Sequence, residues 1–263
     1  MFPKLIEIGG LYLPTYGALV ALGFLAGLES SKRLARRVGL DPENIINLAV
    51  YCALAGLVGA KLMMFIFDWE IYAKNPSELF SIETLQSAGV FQGGFLLALV
   101  VGVWLMKRYR LRVLFTMDCL APGVAIGHAI GRLGCFAAGC CWGVRCDRAW
   151  GVTFTSVDAG RMTGVPLGVP LHPTQIYESA AEFVLFGFLY HLATRTPRPG
   201  TVIGLYLISY SAVRFFVELF RFHQQPLIGA FSNTQWISAA LAVLGVALLA
   251  YPRYLAAQPV RRG

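Results

Sequence analysis

Charge is scarce in this chain. Asp, Glu, Lys and Arg make up 14% of its 263 residues, against about 25% in an ordinary soluble domain. That deficit excludes a water-facing surface over most of the molecule, and a hydrophobic content of 57% takes its place. Negative charge is the scarcer sign: 14 Asp and Glu against 22 Lys and Arg leave a net charge of +8. No DNA- or RNA-binding motif accompanies that charge, so nucleic acid is not expected as a partner. There is no evident internal repeat, and no low-complexity linker beyond the Pro and Arg run at 194–199. The first apolar run also lacks the marks of a cleavable signal. Lys4 is the only basic residue before it, and no small-residue cleavage site separates it from the basic segment beyond. A permanent first helix is expected.

What is present is apolar length. In windows of about 19 residues, seven runs are long enough to cross a membrane, whose hydrocarbon core is about 30 Å thick. They are Leu11–Leu28, Ile45–Phe67, Val90–Met106, Leu114–Phe136, Thr174–Leu192, Val202–Leu219 and Gln235–Tyr251. The expected fold is an all-α integral membrane protein with seven transmembrane helices, a single polytopic domain over 1–263. An external loop or small head subdomain over 137–172 belongs to it, where Trp150, Val152, Phe154 and Val157 among glycines and prolines suit short strands or a lid. In the shorter external segment, Asn75-Pro76-Ser77-Glu78 suits a helix start.

Basic residues set the orientation. Lys32, Arg33, Arg36 and Arg37 in the 29–44 loop, Lys107, Arg108, Arg110 and Arg112, Arg195 and Arg198, and Arg253, Arg261 and Arg262 put thirteen cations on one side. The other side holds Lys4, Lys74, Arg145, Arg148, Arg161 and Arg221. The positive-inside rule then places the N-terminus outside and the C-terminus in the cytoplasm. Basic loops facing anionic lipid account for the net charge.

Against that background the ionisable residues inside or at the edge of the spans stand out: Lys61, Asp118, Arg132, Glu178, Glu182, Arg214 and Glu218. Each costs at least about 2.5–3.5 kcal/mol at a helix centre, which makes each a functional-site candidate. Structural readings compete: Arg214 and Glu218 are four apart and can neutralise each other, and Lys61 can snorkel. The functional reading is a cluster of cations holding a phosphate or another anionic head group at the membrane surface. Gly127, Gly131, Gly134 and Gly139 fit either case, as small residues that let helices approach. In HPTQIYES at 172–179, His172, Gln175, Tyr177 and Glu178 either cap and anchor a helix or aim polar groups into a cavity. His128, four residues before Arg132, can point into the same cavity or be satisfied structurally, and His191 and His223 look incidental.

Taken in order, these stretches resemble the prolipoprotein diacylglyceryl transferase family over nearly the whole chain. TYGALVALGF at 15–24 resembles the first-helix motif with its functional Tyr, here Tyr16, and GAKLMMFIF at 59–67 a GGR-type helix end with Lys61 in place of Arg. FQGG at 91–94, which carries Gln92, Gly93 and Gly94, resembles FHGG. DCLAPGVAIGHAIGRLGC at 118–135 resembles the segment leading into the signature, HPTQIYE at 172–178 resembles HPSQLYE, and RFFVELFR at 214–221 resembles RFIVEFFR. The resemblance implies a bacterial inner-membrane enzyme, active toward the outer face. It would move the diacylglyceryl group of phosphatidylglycerol onto the lipobox cysteine of a prolipoprotein signal peptide and release glycerol phosphate. By position it implies Arg132, Arg214, Glu218, Tyr16, Gln92, His172 and Glu178 as catalytic. Lys61, Gly93, Gly94, Gly134, Cys135, Gly139, Cys140, Gly143, Gln175 and Tyr177 would line the substrate. No cofactor and no metal are expected.

The chain departs from the family pattern at its signature. Where the family reads approximately GRxGNFxNGExWG, residues 131–143 read GRLGCFAAGCCWG, so Cys135, Ala138 and Cys140 replace Asn, Asn and Glu. Gln92 replaces a His often proposed as the base, and an amide cannot take a proton near neutral pH. Either His172, Glu178, Glu218, a thiolate or the leaving phosphate serves instead, or the chain binds an anionic phospholipid for another acceptor or for none. Cys135, Cys140, Cys141 and Cys146 admit disulfides across the external segment, a metal site against their C-x4-C-C-x4-C spacing, or free thiols. Cys52 and Cys119 read as small core residues.

Overall fold

The computed structural model describes residues 2–8, 11–81, 84, 89–195, 197–222 and 231–257. Arg261, Arg262 and His223 lie outside the described residues. The chain divides into two compact units, 39–116 and the remainder.

In the larger unit a hairpin of β1 (Lys4–Ile8) and β2 (Leu11–Pro14) leads into α1 (Thr15–Val38). The apolar run expected as helix from Leu11 therefore begins as a strand and turns helical only at Thr15. Beyond Leu28 the chain does not loop at once. It stays helical to Val38, where Arg36 and Arg37 sit in the last turn and interact favourably with the negative end of the helix dipole.

The 39–116 unit opens with a complete helix start. Asp41 accepts a hydrogen bond from the Glu43 backbone N–H at 3.0 Å, and Pro42 fills the first helical position of α2 (Pro42–Phe67). The short α3 (Trp69–Lys74) follows, and the expected start at Asn75-Pro76 is realised as a 3-10 turn, Pro76–Phe80. α4 (Phe91–Arg108) packs along α2 so closely that a Cβ on Gly93 would fall 2.4 Å from the Gly59 carbonyl oxygen, and one on Gly94 2.6 Å from that of Gly56. Close backbone packing is what the structure shows for these two glycines, which the family resemblance places at the substrate.

α5 (Val113–Ala138) passes into the larger unit and ends at the signature. Its glycines meet those of α1: a Cβ on Gly27 would lie 2.5 Å from the Gly123 carbonyl oxygen, and one on Gly23 2.8 Å from that of Gly127. Gly131 does not share this role. A Cβ there would meet nothing within 4 Å.

Beyond the signature, β3 (Val152–Thr153) pairs antiparallel with β4 (Pro170–Leu171), and α6 (Val157–Thr163) is capped by the Ser156 side chain. Phe154, Ala159, Val165 and Leu171 form a small buried cluster between them, with Phe136 and Trp142 packed against it. α7 (Thr174–Thr194), α8 (Thr201–Glu218) and α9 (Asn233–Ala257) complete the chain, with α8 packed against both neighbours. Asp118 accounts for itself structurally. Its carboxylate accepts from the Gly200 and Ile203 backbone N–H groups at 2.7 and 2.8 Å, capping the N-terminus of α8 where a negative charge is stabilised.

Among the described residues, five helices are long and apolar enough to cross a membrane: α2, α4, α5, α8 and α9. α1 and α7, 24 and 21 residues long, complete the seven apolar runs as helices. Their composition is more polar, because α1 ends in Glu29, Lys32, Arg33, Arg36 and Arg37 and α7 carries Glu178 and Glu182.

Candidate active site

Three of the quoted motifs converge in the larger unit. Arg132 comes from the last turns of α5, Glu178 from the first turns of α7, and Arg214 and Glu218 from the end of α8. Glu178, only 2% exposed, forms an ion pair with Arg132 Nη2 through one carboxylate oxygen at 2.9 Å and faces Arg214 Nη1 with the other at 3.9 Å. Arg214 Nη2 forms an ion pair with Glu218 at 2.8 Å, so the intrahelical neutralisation allowed by the sequence does occur. It coexists with the cluster instead of replacing it.

Four further groups complete the constellation, none of them among the expected catalytic or substrate-lining residues. Arg132 Nε donates to His128 Nε2 at 3.2 Å, and His128 Nδ1 lies 3.6 Å from a Glu182 oxygen. Arg221 Nη1 reaches Glu218 at 4.0 Å and Ser232 Oγ donates to the same carboxylate at 3.0 Å. Helical spacing was the available signal. His128 precedes Arg132 by four, Glu182 follows Glu178 by four, and Arg221 follows Glu218 by three, each on a shared face. With three Arg against three Glu, the cluster balances its own charge. A clamp of free cations is therefore not what stands here.

The balance is nonetheless incomplete in hydrogen bonds. Arg214 Nη1 and both carboxylate oxygens of the fully buried Glu182 have no hydrogen-bond partner among the described residues. A buried polar group left this way costs about 1–3 kcal/mol, more if charged. The cluster thus includes an orphan donor on Arg214 and orphan acceptors on Glu182.

The signature end of α5 is organised by its turn. Gly139 adopts φ 80°, the left-handed conformation that ends a helix with least strain in glycine, and Cys141 follows with φ 65°. From α7, Thr174 Oγ1 donates to the Cys141 carbonyl at 2.7 Å and Gln175 Nε2 donates to that of Cys140. Gly143 lies where a Cβ would fall 2.5 Å from the Phe220 carbonyl oxygen, and its neighbour Trp142 stacks on Phe222. His172 is hydrogen-bonded to the Tyr177 hydroxyl at 3.1 Å. Tyr16, 38% exposed, sits in the first turn of α1 beside Gly134, whose added Cβ would approach the Tyr16 ring to 3.3 Å.

Gln92 and Lys61 belong to the 39–116 unit. Gln92 is the second residue of α4 and is exposed, and Lys61 donates to the Thr84 carbonyl.

Of the states the sequence leaves open for Cys135, Cys140, Cys141 and Cys146, disulfides are not formed: all six cysteines are free thiols. The left-handed turn gathers three of them instead. Cys135, Cys140 and Cys141 hold their sulfurs within 4.8 Å of one another, and Arg132 Nη1 is 4.0 Å from the Cys135 sulfur. Hydrogen bonding by the Cys135 and Cys140 thiols holds the Cys141 thiol well below its ordinary range, and the Cys140 thiol is pushed up in return. Cys52 and Cys119 donate to the Ala98 and Ser31 carbonyls as small packing residues.

Known proteins resemble the chain in sequence over nearly its whole length. The chain is 32% identical over 254 residues to the phosphatidylglycerol–prolipoprotein diacylglyceryl transferase of Clostridium tetani, covering 97% of this chain and 99% of that one. It is 32% identical to transferase 2 of the same name from Clostridium perfringens, with 92% of each chain covered. The relative from Pseudoalteromonas atlantica is 34% identical, over 95% of this chain and 88% of its own. The family model described as prolipoprotein diacylglyceryl transferase matches residues 3–251, and the chain belongs to that family.

Proposed function

We propose that this chain transfers the diacylglyceryl group of phosphatidylglycerol to the thiol of a prolipoprotein cysteine and releases glycerol phosphate. The observation that carries the reading is the buried ionic cluster with an orphan guanidinium donor on Arg214 and orphan carboxylate acceptors on Glu182. An anionic phosphodiester completes the first, and the hydroxyls of a glycerol head group complete the second. Both belong to one phosphatidylglycerol. The names of the relatives point the same way.

In this reading Arg132 and Arg214 stabilise the charge that grows on the departing phosphate. Glu178 is a positioning residue, since it fixes both guanidinium groups. Tyr16, His172, Tyr177 and Gln175 line the approach beside the signature turn. Seven spans, with the N-terminus outside and the C-terminus in the cytoplasm of a bacterial inner membrane, fit the basic loops. α5 alone, 26 residues long, extends roughly 39 Å at about 1.5 Å per residue, enough to set its signature end at the face opposite the Arg-rich segment before it. That face is the outer one.

Reconstitution tests the proposal. Protein in phosphatidylglycerol vesicles with a lipobox peptide is expected to yield a thioether-linked diacylglyceryl peptide and one glycerol phosphate per product. No product, beside an active family member under the same conditions, would overturn it. Arg214→Ala is expected to slow transfer by about 10²–10³-fold, the scale of one lost oxyanion donor.

A further inference from the structure

Three thiols meet where the resembled signature has amide and carboxylate groups. Cys135 lies in the last turn of α5, and Cys140 returns to it with its backbone N–H on the Cys135 carbonyl at 3.1 Å and its thiol on the same oxygen at 3.7 Å. Cys141 completes the triangle, and α7 holds the turn from the other side through Thr174 and Gln175. The linear spacing argued against a metal site, but the left-handed turn removes that objection by folding the chain back. Sulfur ligands about 2.3 Å from a zinc ion stand roughly 3.8–4.0 Å apart, and these already lie within 4.8 Å of one another. Soft thiolate donors select thiophilic ions over magnesium or calcium. Three thiolates and a divalent ion carry one net negative charge, and the Arg132 guanidinium lies 4.0 Å from the Cys135 sulfur, at the edge of that site.

We propose that Cys135, Cys140 and Cys141 bind one thiophilic divalent cation, zinc fitting best, and leave its fourth coordination position open to an exogenous thiol. Zinc sites with three protein ligands and one open position are the reactive kind. The role of that open position rests on the transferase reading above, whereas the binding site itself does not. An acceptor thiol entering it gives its proton to water and is held as thiolate, which Gln92 cannot bring about by taking the proton. The sulfur then forms its bond to the glyceryl carbon as the carbon–oxygen bond to phosphate breaks, and glycerol phosphate leaves with the electron pair.

The test uses the full-length protein, reduced, stripped with chelator and titrated anaerobically with cobalt(II), then zinc. One equivalent of cobalt should bind with sulfur-to-cobalt charge-transfer absorption and be displaced by one equivalent of zinc. Cys135→Ser, Cys140→Ser and Cys141→Ser should each weaken binding at least about tenfold, and Cys146→Ser and Cys119→Ser should not. In the wild-type chain, which avoids any folding defect of the variants, zinc should protect these three cysteines from alkylation as mapped by peptide mass. No charge-transfer band in reduced protein, or protection of other cysteines, overturns the site. Transfer by stripped and zinc-loaded protein separates the two proposals. Equal rates overturn the role of the open position, and absent transfer with intact metal binding overturns only the transferase reading.

Discussion

Glu178 shows how much one side chain decides here. It is buried between two guanidinium groups contributed by different helices. Removing one member of a buried ionic set leaves the others uncompensated, at about 3–5 kcal/mol. Glu178→Ala is therefore expected to lower the thermal midpoint in detergent sharply, and Glu178→Gln to lower it less, because the amide still fills the space and accepts one bond. Equal midpoints for wild type and Glu178→Ala would contradict this. Arg214→Lys keeps the charge but loses the fork that reaches Glu218 and Glu178 at once. It is expected to reduce the transfer rate at least about tenfold while phospholipid still binds, since lysine is a point charge. A wild-type rate in initial-velocity assays would show that the fork is dispensable.

At the scale of elements, helices approach where their glycines permit. Gly27 on α1 and Gly123 on α5 leave no room for a side chain, so Gly27→Val is expected to destabilise by about 1–3 kcal/mol through forced separation. Gly131→Ala is the control. Its methyl enters open space and removes backbone freedom from a helix, so it should stabilise by up to about 1 kcal/mol. Denaturation midpoints in one detergent decide both, and a loss of stability in Gly131→Ala would place that glycine in the packing after all. Asp118→Ala strips α8 of its side-chain cap and should cost about 0.5–2 kcal/mol by the same measurement.

At the scale of the whole molecule, the proposed orientation is open to a labelling experiment. Trp150, 59% exposed beyond the signature turn, and Arg110, in the basic segment between α4 and α5, should lie on opposite sides. A membrane-impermeant maleimide added to intact spheroplasts is expected to label Trp150→Cys beyond the level of the parent chain, and Arg110→Cys only after lysis. The reverse pattern would invert the topology.

The sequence by itself determined the apolar helices, most of their ends and the family. These follow from local quantities: apolar runs long enough to span lipid, and six stretches that resemble the family in order. Only tertiary structure decided what the polar residues do. Helical spacing put Glu182 with Glu178 and His128 with Arg132, but no local rule brings α5, α7 and α8 together, so the charge balance of the cluster was invisible. Asp118 read as an anomaly because its partners, Gly200 and Ile203, lie more than eighty residues away. Leu11 read as helix because apolar character alone does not distinguish a short strand from a helical turn. The cysteines were the least legible, since thiols at uneven intervals meet only when left-handed residues such as Gly139 and Cys141 turn the chain, a choice fixed by what packs against the turn and not by the residues between the sulfurs.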